Sequence, residues 1–251
     1  MTKENVLFSI IGVLLGFIVG FFFANSVNQR AAAPRVAEAS AANQSELPPG
    51  HPDLPVNTVK DQQTLLPAAE DAGRKARDAS EDFDAQMKAA ELYYKANRFE
   101  DATEFLLRAN QLRPDNYDVV VALGNINYDT GQYENAEKWY TAALVKRPDD
   151  INVRTDLGLT FFLREPPQIE RAITEFRRSL GRDPLHEQTL QNLVVALTRK
   201  GDTTEARSML ERLEKVNAGN PKLPKLREEL ERARGGNSSG NSNNSAAPAG
   251  R

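Results

Sequence analysis

Pro114 and Pro148 stand 34 residues apart, and that interval recurs through the middle of the chain. Ala102 and Ala136, Phe99 and Tyr133, and Tyr94 and Tyr128 repeat it, and Phe162 extends the last series. Ala172 and Pro184 fall 36 residues after their predecessors, and Ala206 returns to 34 after Ala172. A fixed period of this size confines a chain to a stack of supersecondary units. No unit can bury its apolar face alone, so each buries it on its neighbours.

Each unit reads as two helices. Val120, Leu123, Gly124, Asn127 and Tyr128 have helical spacing, and Gly131 in "DTGQY" suits a helix end. Ala136, Tyr140, Ala143 and Leu144 form a second apolar face. Lys146 and Arg147 then fall where cations favour the helix dipole, Pro148 stops the helix, and Asp149 or Asp150 can cap the next. Four units follow: 83–116, 117–150, 151–186 and 187–220. The third is two residues longer, and Pro166 and Pro167 confine the insertion to its internal turn. In "PKLPKLREELERAR", Leu223, Leu226 and Leu230 share one face, so 221–234 should cap the open end of the stack.

The stretch "LGNINYDTGQYENAEKWYTAALVKRP" carries Leu123–Gly124, Ala136, Tyr140 and Pro148 at spacings that resemble the tetratricopeptide repeat family. The first unit has Ala89–Ala90 where that family has Leu–Gly, the third keeps Leu157–Gly158, and the fourth has Leu193–Val194 with Leu210 in place of an aromatic. The resemblance covers units one to four. It implies an all-α fold, a right-handed α-solenoid of about four helix pairs with a carboxyl-terminal capping helix. Gly124 and Gly158 then serve close approach of the two helices in a unit, where a larger residue would overpack.

Residues outside the repeat differ in character. Val6 to Ala24 is nineteen residues with Ser9 as its one clearly polar side chain, and no charge occurs between Glu4 and Arg30. As a helix it would be roughly 28 Å long, near the thickness of a bilayer core. That length favours an uncleaved single-pass anchor over an export signal, although "RAAAP" offers small residues for cleavage near Ala31–Ala33. The short leading tail favours an inner (cytoplasmic) membrane anchor with the bulk of the chain in the periplasm or otherwise outside the cytoplasm. Gly12, Gly16 and Gly20 recur every fourth residue. Glycine is common in membrane helices, but this spacing also makes a groove for a second helix. Residues 31–80 form a Pro/Ala-rich linker. Pro48, Pro49, Pro52 and Pro55 make it an extended spacer, or a docking segment with His51 and Leu54 as anchors, and Ala68–Ser80 regains helix-forming composition. Residues 235–251, "GGNSSGNSNNSAAPAGR", have the composition of a disordered tail.

Composition narrows the chemistry. The chain has no cysteine, which removes disulfides, thiolate metal sites and cysteine nucleophiles. Its two histidines, His51 and His186, lie in no acid, base or nucleophile arrangement, and no phosphate-binding glycine loop or metal-ligand spacing occurs. An enzyme, a metal site and a cofactor are therefore not expected. The net charge of −3 speaks against a general affinity for nucleic acid.

In the family resembled, the first helix of each unit lines a concave groove. Matching positions select Met87, Glu91, Tyr94 and Lys95 in unit one and Asn125, Tyr128 and Asp129 in unit two. They select Thr155, Leu159 and Phe162 in unit three and Gln191, Val195 and Arg199 in unit four. Tyr94, Tyr128 and Phe162 make an aromatic row, either facing a partner or packed between units as core. Met87 and Glu91 replace two members of the basic clamp with which some relatives grip acidic carboxyl ends, which argues against that role. Charge is uneven: 83–150 carries net −4 and 151–234 net +3. The resemblance to bacterial single-pass members that assist envelope assembly, including cytochrome c biogenesis, implies a membrane-tethered scaffold holding a protein or peptide segment. The alternative is a homo-oligomer built through Gly12, Gly16, Gly20 and the solenoid ends.

Overall fold

The computed structural model describes residues 59–240, and among these every regular element is an α-helix. A lead-in helix, α1 (Val59–Asp78), precedes four pairs: α2 (Phe83–Lys95) with α3 (Phe99–Leu112), α4 (Tyr117–Asp129) with α5 (Tyr133–Lys146), α6 (Ile151–Leu163) with α7 (Ile169–Arg182), and α8 (Glu187–Lys200) with α9 (Thr203–Val216). The last helix, α10 (Leu223–Gly240), packs on α8 and α9. Each helix packs on the next along the chain, which is the connectivity of a solenoid.

The start of each unit is written in single residues. Asp82 accepts hydrogen bonds from the amides of Asp84 and Ala85, Asn116 from Val119, and Asp150 from Val153. These caps recur with the repeat, and each satisfies an amide the helix leaves open, a contribution of about 1 kcal/mol. The second helices α3, α5 and α7 have no side-chain cap. In units two and four, a tight turn at Gly131 (φ +71°) or Gly201 (φ +90°) positions the second helix. In unit one, Asn97 takes the left-handed conformation at φ 56°, which asparagine tolerates better than most residues.

Inside each pair one contact sets the spacing. A methyl group on Gly124 would lie 2.5 Å from the Tyr140 ring, and one on Gly158 would lie 2.5 Å from the Phe176 ring. The matching pairs are Ala90 with Leu106 in unit one and Val194 with Leu210 in unit four. A larger residue on the first helix is thus matched by a smaller one on the second. Ala102, Ala136, Ala172 and Ala206 are all fully buried.

Two expectations are corrected at the margins. Helix α1 begins at Val59, nine residues before Ala68, where the 31–80 linker is expected to regain helix-forming composition, and it contains Pro67. Proline removes one backbone donor but sits here on the exposed side, while Ala69, Gly73 and Ala76 are buried. Docking of that half on α2 holds the helix: Tyr93 fills the space beside Gly73, and Gln86 donates to the Ala76 carbonyl at 2.7 Å. At the other end, α10 runs to Gly240, six residues past the expected end at 234. Its anchors are Leu223, Leu226 and Leu230, all buried. Extension of a helix already nucleated needs little further stabilisation. The expected anchor at Val6–Ala24 with Gly12, Gly16 and Gly20, the proline-rich segment with His51, and the tail from 241 onward lie outside the described residues. Among the described residues, no helix is long and apolar enough to cross a membrane.

Candidate functional site

The first helices α2, α4, α6 and α8 place the residues singled out from sequence, and the repeat dictates how they meet. The next-to-last residue of one first helix reaches a residue in the last turn of the next first helix. Thus Tyr94 donates its hydroxyl to Asp129, and two interfaces further Arg199 lies over the Phe162 ring, 5.0 Å from its centroid. Tyr128 is the intervening member of the aromatic row. It is only 2% exposed and meets Tyr133 edge-on, with centroids 5.7 Å apart. Phe162 and Leu159 are buried as well. Most of the row is therefore buried, with Tyr94 half-buried and Arg199 exposed.

Other selected positions are drawn into the fold. Thr155 is fully buried and shares a hydrogen bond of 2.7 Å with Thr189, whose hydroxyl also lies 2.6 Å from His186 Nδ1. Burial lowers the His186 pKa below its ordinary value. Met87 packs against the core of unit one, and Gln191 is buried. Glu91 is exposed between Lys88 and Lys95, and these two ammonium groups hold its carboxyl below its usual range, Lys95 most strongly.

What the fold brings together is a polar cluster between units two and three. Tyr140, from the second helix of unit two, donates its hydroxyl to Asn125 Oδ1 at 3.0 Å. Asp129 is half-buried and accepts from Tyr94. Asp156, on α6, completes the cluster at 5% exposure, and its Oδ1 meets no hydrogen-bond donor among the described residues. Burial, and then the charges of Asp129 and Asp150, push the Asp156 carboxyl well above the ordinary range. Burial raises the phenols of Tyr94, Tyr128 and Tyr140, and the nearby carboxylates Asp129 and Asp156 raise them further. Asp156 was not among the positions selected from sequence. The signal was present: it is the one charged residue in "TDLGLTFFL", a run that is otherwise apolar, small or hydroxylic.

Three further features escaped the sequence reading. Arg113 stacks on Phe83 at 4.0 Å and Arg147 on Tyr117 at 3.8 Å, one per repeat. Arg164, 6% exposed, reaches from the proline-containing turn of unit three to Glu137 at 3.0 Å and Glu134 at 3.2 Å on α5. A shallow cavity lies between α1 and α3, beside Arg77, Glu104 and Arg108. Its charges are already paired, Arg77 with Glu104 and Arg108 with Glu81. Among the described residues no group of three His, Cys, Asp or Glu could hold a metal ion.

Residues 87–151 match the family described as tetratricopeptide repeat. Those residues are tetratricopeptide repeats. Its fold is shared with a tetratricopeptide repeat protein from Parabacteroides merdae, at 19% identity and a TM-score of 0.57, over 62% of this chain and 61% of that one. The chain therefore spans less than two thirds of that protein's length. YrrB, described as a tetratricopeptide repeat protein with an unusual peptide-binding site, is similar over 78% of this chain and 100% of its own, at 18% identity and a TM-score of 0.57. MamA from Desulfovibrio magneticus is similar over 64% of this chain and 93% of its own, at 20% identity and a TM-score of 0.56. No curated protein matches the chain significantly in sequence.

Proposed function

We propose that the chain is a membrane-tethered scaffold whose tetratricopeptide repeat domain holds a segment of another protein on the face made by α2, α4, α6 and α8. The observation that carries this reading is the cluster of Asn125, Asp129, Asp156, Tyr94, Tyr128 and Tyr140. It is a set of directed polar groups where packing alone would call for apolar ones. The peptide-binding site of the fold neighbour YrrB supports the same use of the scaffold. Tethering rests on the apolar run Val6–Ala24, and an extracytoplasmic domain in envelope or cytochrome c assembly follows from the resemblance to single-pass family members.

Photo-crosslinking amino acids at Asn125 and Arg199, in native membranes, test the groove. A discrete crosslinked partner is expected from both positions and not from exposed Val145 on α5; equal yields from all three reject the assignment. Alkaline extraction of those membranes tests the tether, because release of the chain to the supernatant excludes an integral anchor. In the competing reading the chain is a homo-oligomer joined through Gly12, Gly16 and Gly20 and at the solenoid ends. Against it, α10 already covers the end of the stack with Leu223, Leu226 and Leu230.

A further inference from the structure

We propose that His186 is a proton sensor for the joint between units three and four, coupled across that joint by a buried wire of hydroxyls. This coupling does not depend on what the groove holds. In the first three units the residue ahead of the first helix is Asp82, Asn116 or Asp150, and its side chain accepts from an amide in the first turn. Unit four places His186 there, and its ring makes no such cap. Nδ1 instead lies 2.6 Å from the hydroxyl of Thr189, which stands where units two and three have Val119 and Val153. Thr189 lies 2.7 Å from Thr155 on α6, and Thr155 lies 2.8 Å from the Ile151 carbonyl and 3.3 Å from Ser179 on α7. All three hydroxyl residues are fully buried. The cap residue whose charge changes nearest neutral pH is therefore wired into the preceding unit.

Each hydroxyl has one proton to give, so the state of the ring sets the direction of the wire. The neutral ring, with its proton on Nε2, accepts from Thr189, which accepts from Thr155. The charged ring donates from both nitrogens. Thr189 then donates to Thr155, and Thr155 donates to the Ile151 carbonyl or to Ser179. The bond between Thr155 and Thr189 crosses from one unit to the next in both states, with donor and acceptor exchanged. Two effects make the charged state the less stable. Burial opposes the charge, and Asp183, in the turn before α8, offsets only part of this. The ring also stands at the amino end of α8, where the helix dipole disfavours a cation. Other charges on the surrounding elements are engaged: Arg154 of α6 with Glu175 of α7, Arg182 of α7 with Asp149, Arg212 of α9 with the Pro184 carbonyl, and Glu187 of α8 with Asn217 and Asn220. The folded chain thus holds this proton less tightly than the unfolded chain does. Stability present above about pH 6.5 is lost as pH falls through the lowered value.

Histidine-selective nitrogen NMR of the full chain in detergent micelles tests the wire, with His51→Gln leaving His186 as the one histidine. At about pH 8, Nδ1 is expected to be the unprotonated nitrogen. The ring should titrate with a midpoint below 6.5. Thr189→Val, which removes donor and acceptor together, should leave a mixture of the two tautomers. Hydrogen exchange then reads the joint. Between about pH 7.5 and about pH 5.5, corrected for intrinsic exchange, α8 and α9 should lose protection while α2 and α3 keep theirs. His186→Gln, which has no charge to gain, should abolish that loss. Asp156 titrates with the opposite sign and is present in both proteins, so the comparison isolates the ring. An Nδ1–H ring at about pH 8, or the same tautomers with and without the Thr189 hydroxyl, overturns the reversing wire. A midpoint at or above 6.5, protection that does not fall in acid, or a fall that persists in His186→Gln overturns the sensor.

Discussion

Units two and three share a scaffold and differ in chemistry. Both place a first-helix glycine against a second-helix ring, and a methyl group added at either glycine would lie 2.5 Å from that ring. Beneath the groove they diverge. Tyr128 and Tyr140 in unit two become Phe162 and Phe176 in unit three, Asn125 becomes Leu159, and Asp129 becomes Leu163. Asp156, which faces the first set, has Asn192 as its equivalent one unit later. Thus the layer that spaces the helices is kept, while the layer behind the groove varies from polar to apolar. Fold and specificity occupy different positions of the same repeat.

The largest effect should come from the shared layer. Gly158→Ala drives a methyl group into the buried Phe176 ring and should destabilise the domain by up to about 3 kcal/mol. Gly124→Ala should act alike against Tyr140. Adding Phe176→Leu to Gly158→Ala recreates the Ala90–Leu106 combination of unit one and should recover much of the loss. Urea unfolding of the four combinations gives the coupling directly. A loss at one glycine and not at the other would break the equivalence of the two units.

These residues also show what can be read from a chain of this kind. The period exposes the helix pairs, and Gly124 and Gly158 stand out because a small residue recurs at a fixed place. Asp82, Asn116 and Asp150 are legible as caps for the same reason. Tyr94, Tyr128 and Phe162 are legible as a row, but their burial is not, because burial depends on how closely successive first helices approach. Asp156 is hidden differently. It breaks no period, and its meaning comes from Asp129, Tyr128 and Tyr140 on other helices. The extra turns of α1 are masked by Pro67, whose local preference is overridden by docking on α2.

The next effect lies in the divergent layer and depends on pH. Burial raises the Asp156 carboxyl above its ordinary 3.8, so the folded chain binds that proton more tightly than the unfolded chain does. The stability this group contributes is fully present below about pH 3.8 and is lost as pH rises through the raised value. Asp156→Asn does not ionise, so it should be the more stable protein at neutral pH, by about 1–2 kcal/mol. The advantage should fade in acid. Melting temperatures from pH 3 to pH 8 check the sign, and a constant offset across that range would show that charge is not the cause. The reciprocal Asn192→Asp should lose stability over the same range as pH rises.

Tyr94→Phe removes the hydroxyl that ties unit one to Asp129 of unit two. A loss of about 1 kcal/mol is expected, because the hydrogen bond is partly buried and its acceptor is a carboxylate. Tyr140→Phe, which removes the bond to Asn125, should cost about as much and brings unit two closer to unit three, where Phe176 stands. Chemical denaturation measures both, and an effect confined to Tyr94 would make the contact between units, rather than the polar cluster, the source of stability.

The smallest effect separates the two ends of the groove. Arg199 is exposed, and its contact with Phe162 is a cation over a ring, worth about 0.5–1 kcal/mol at such a site. Arg199→Ala should therefore barely move the melting temperature, while Arg199→Lys, which keeps the charge but loses the planar guanidinium, should fall between the two.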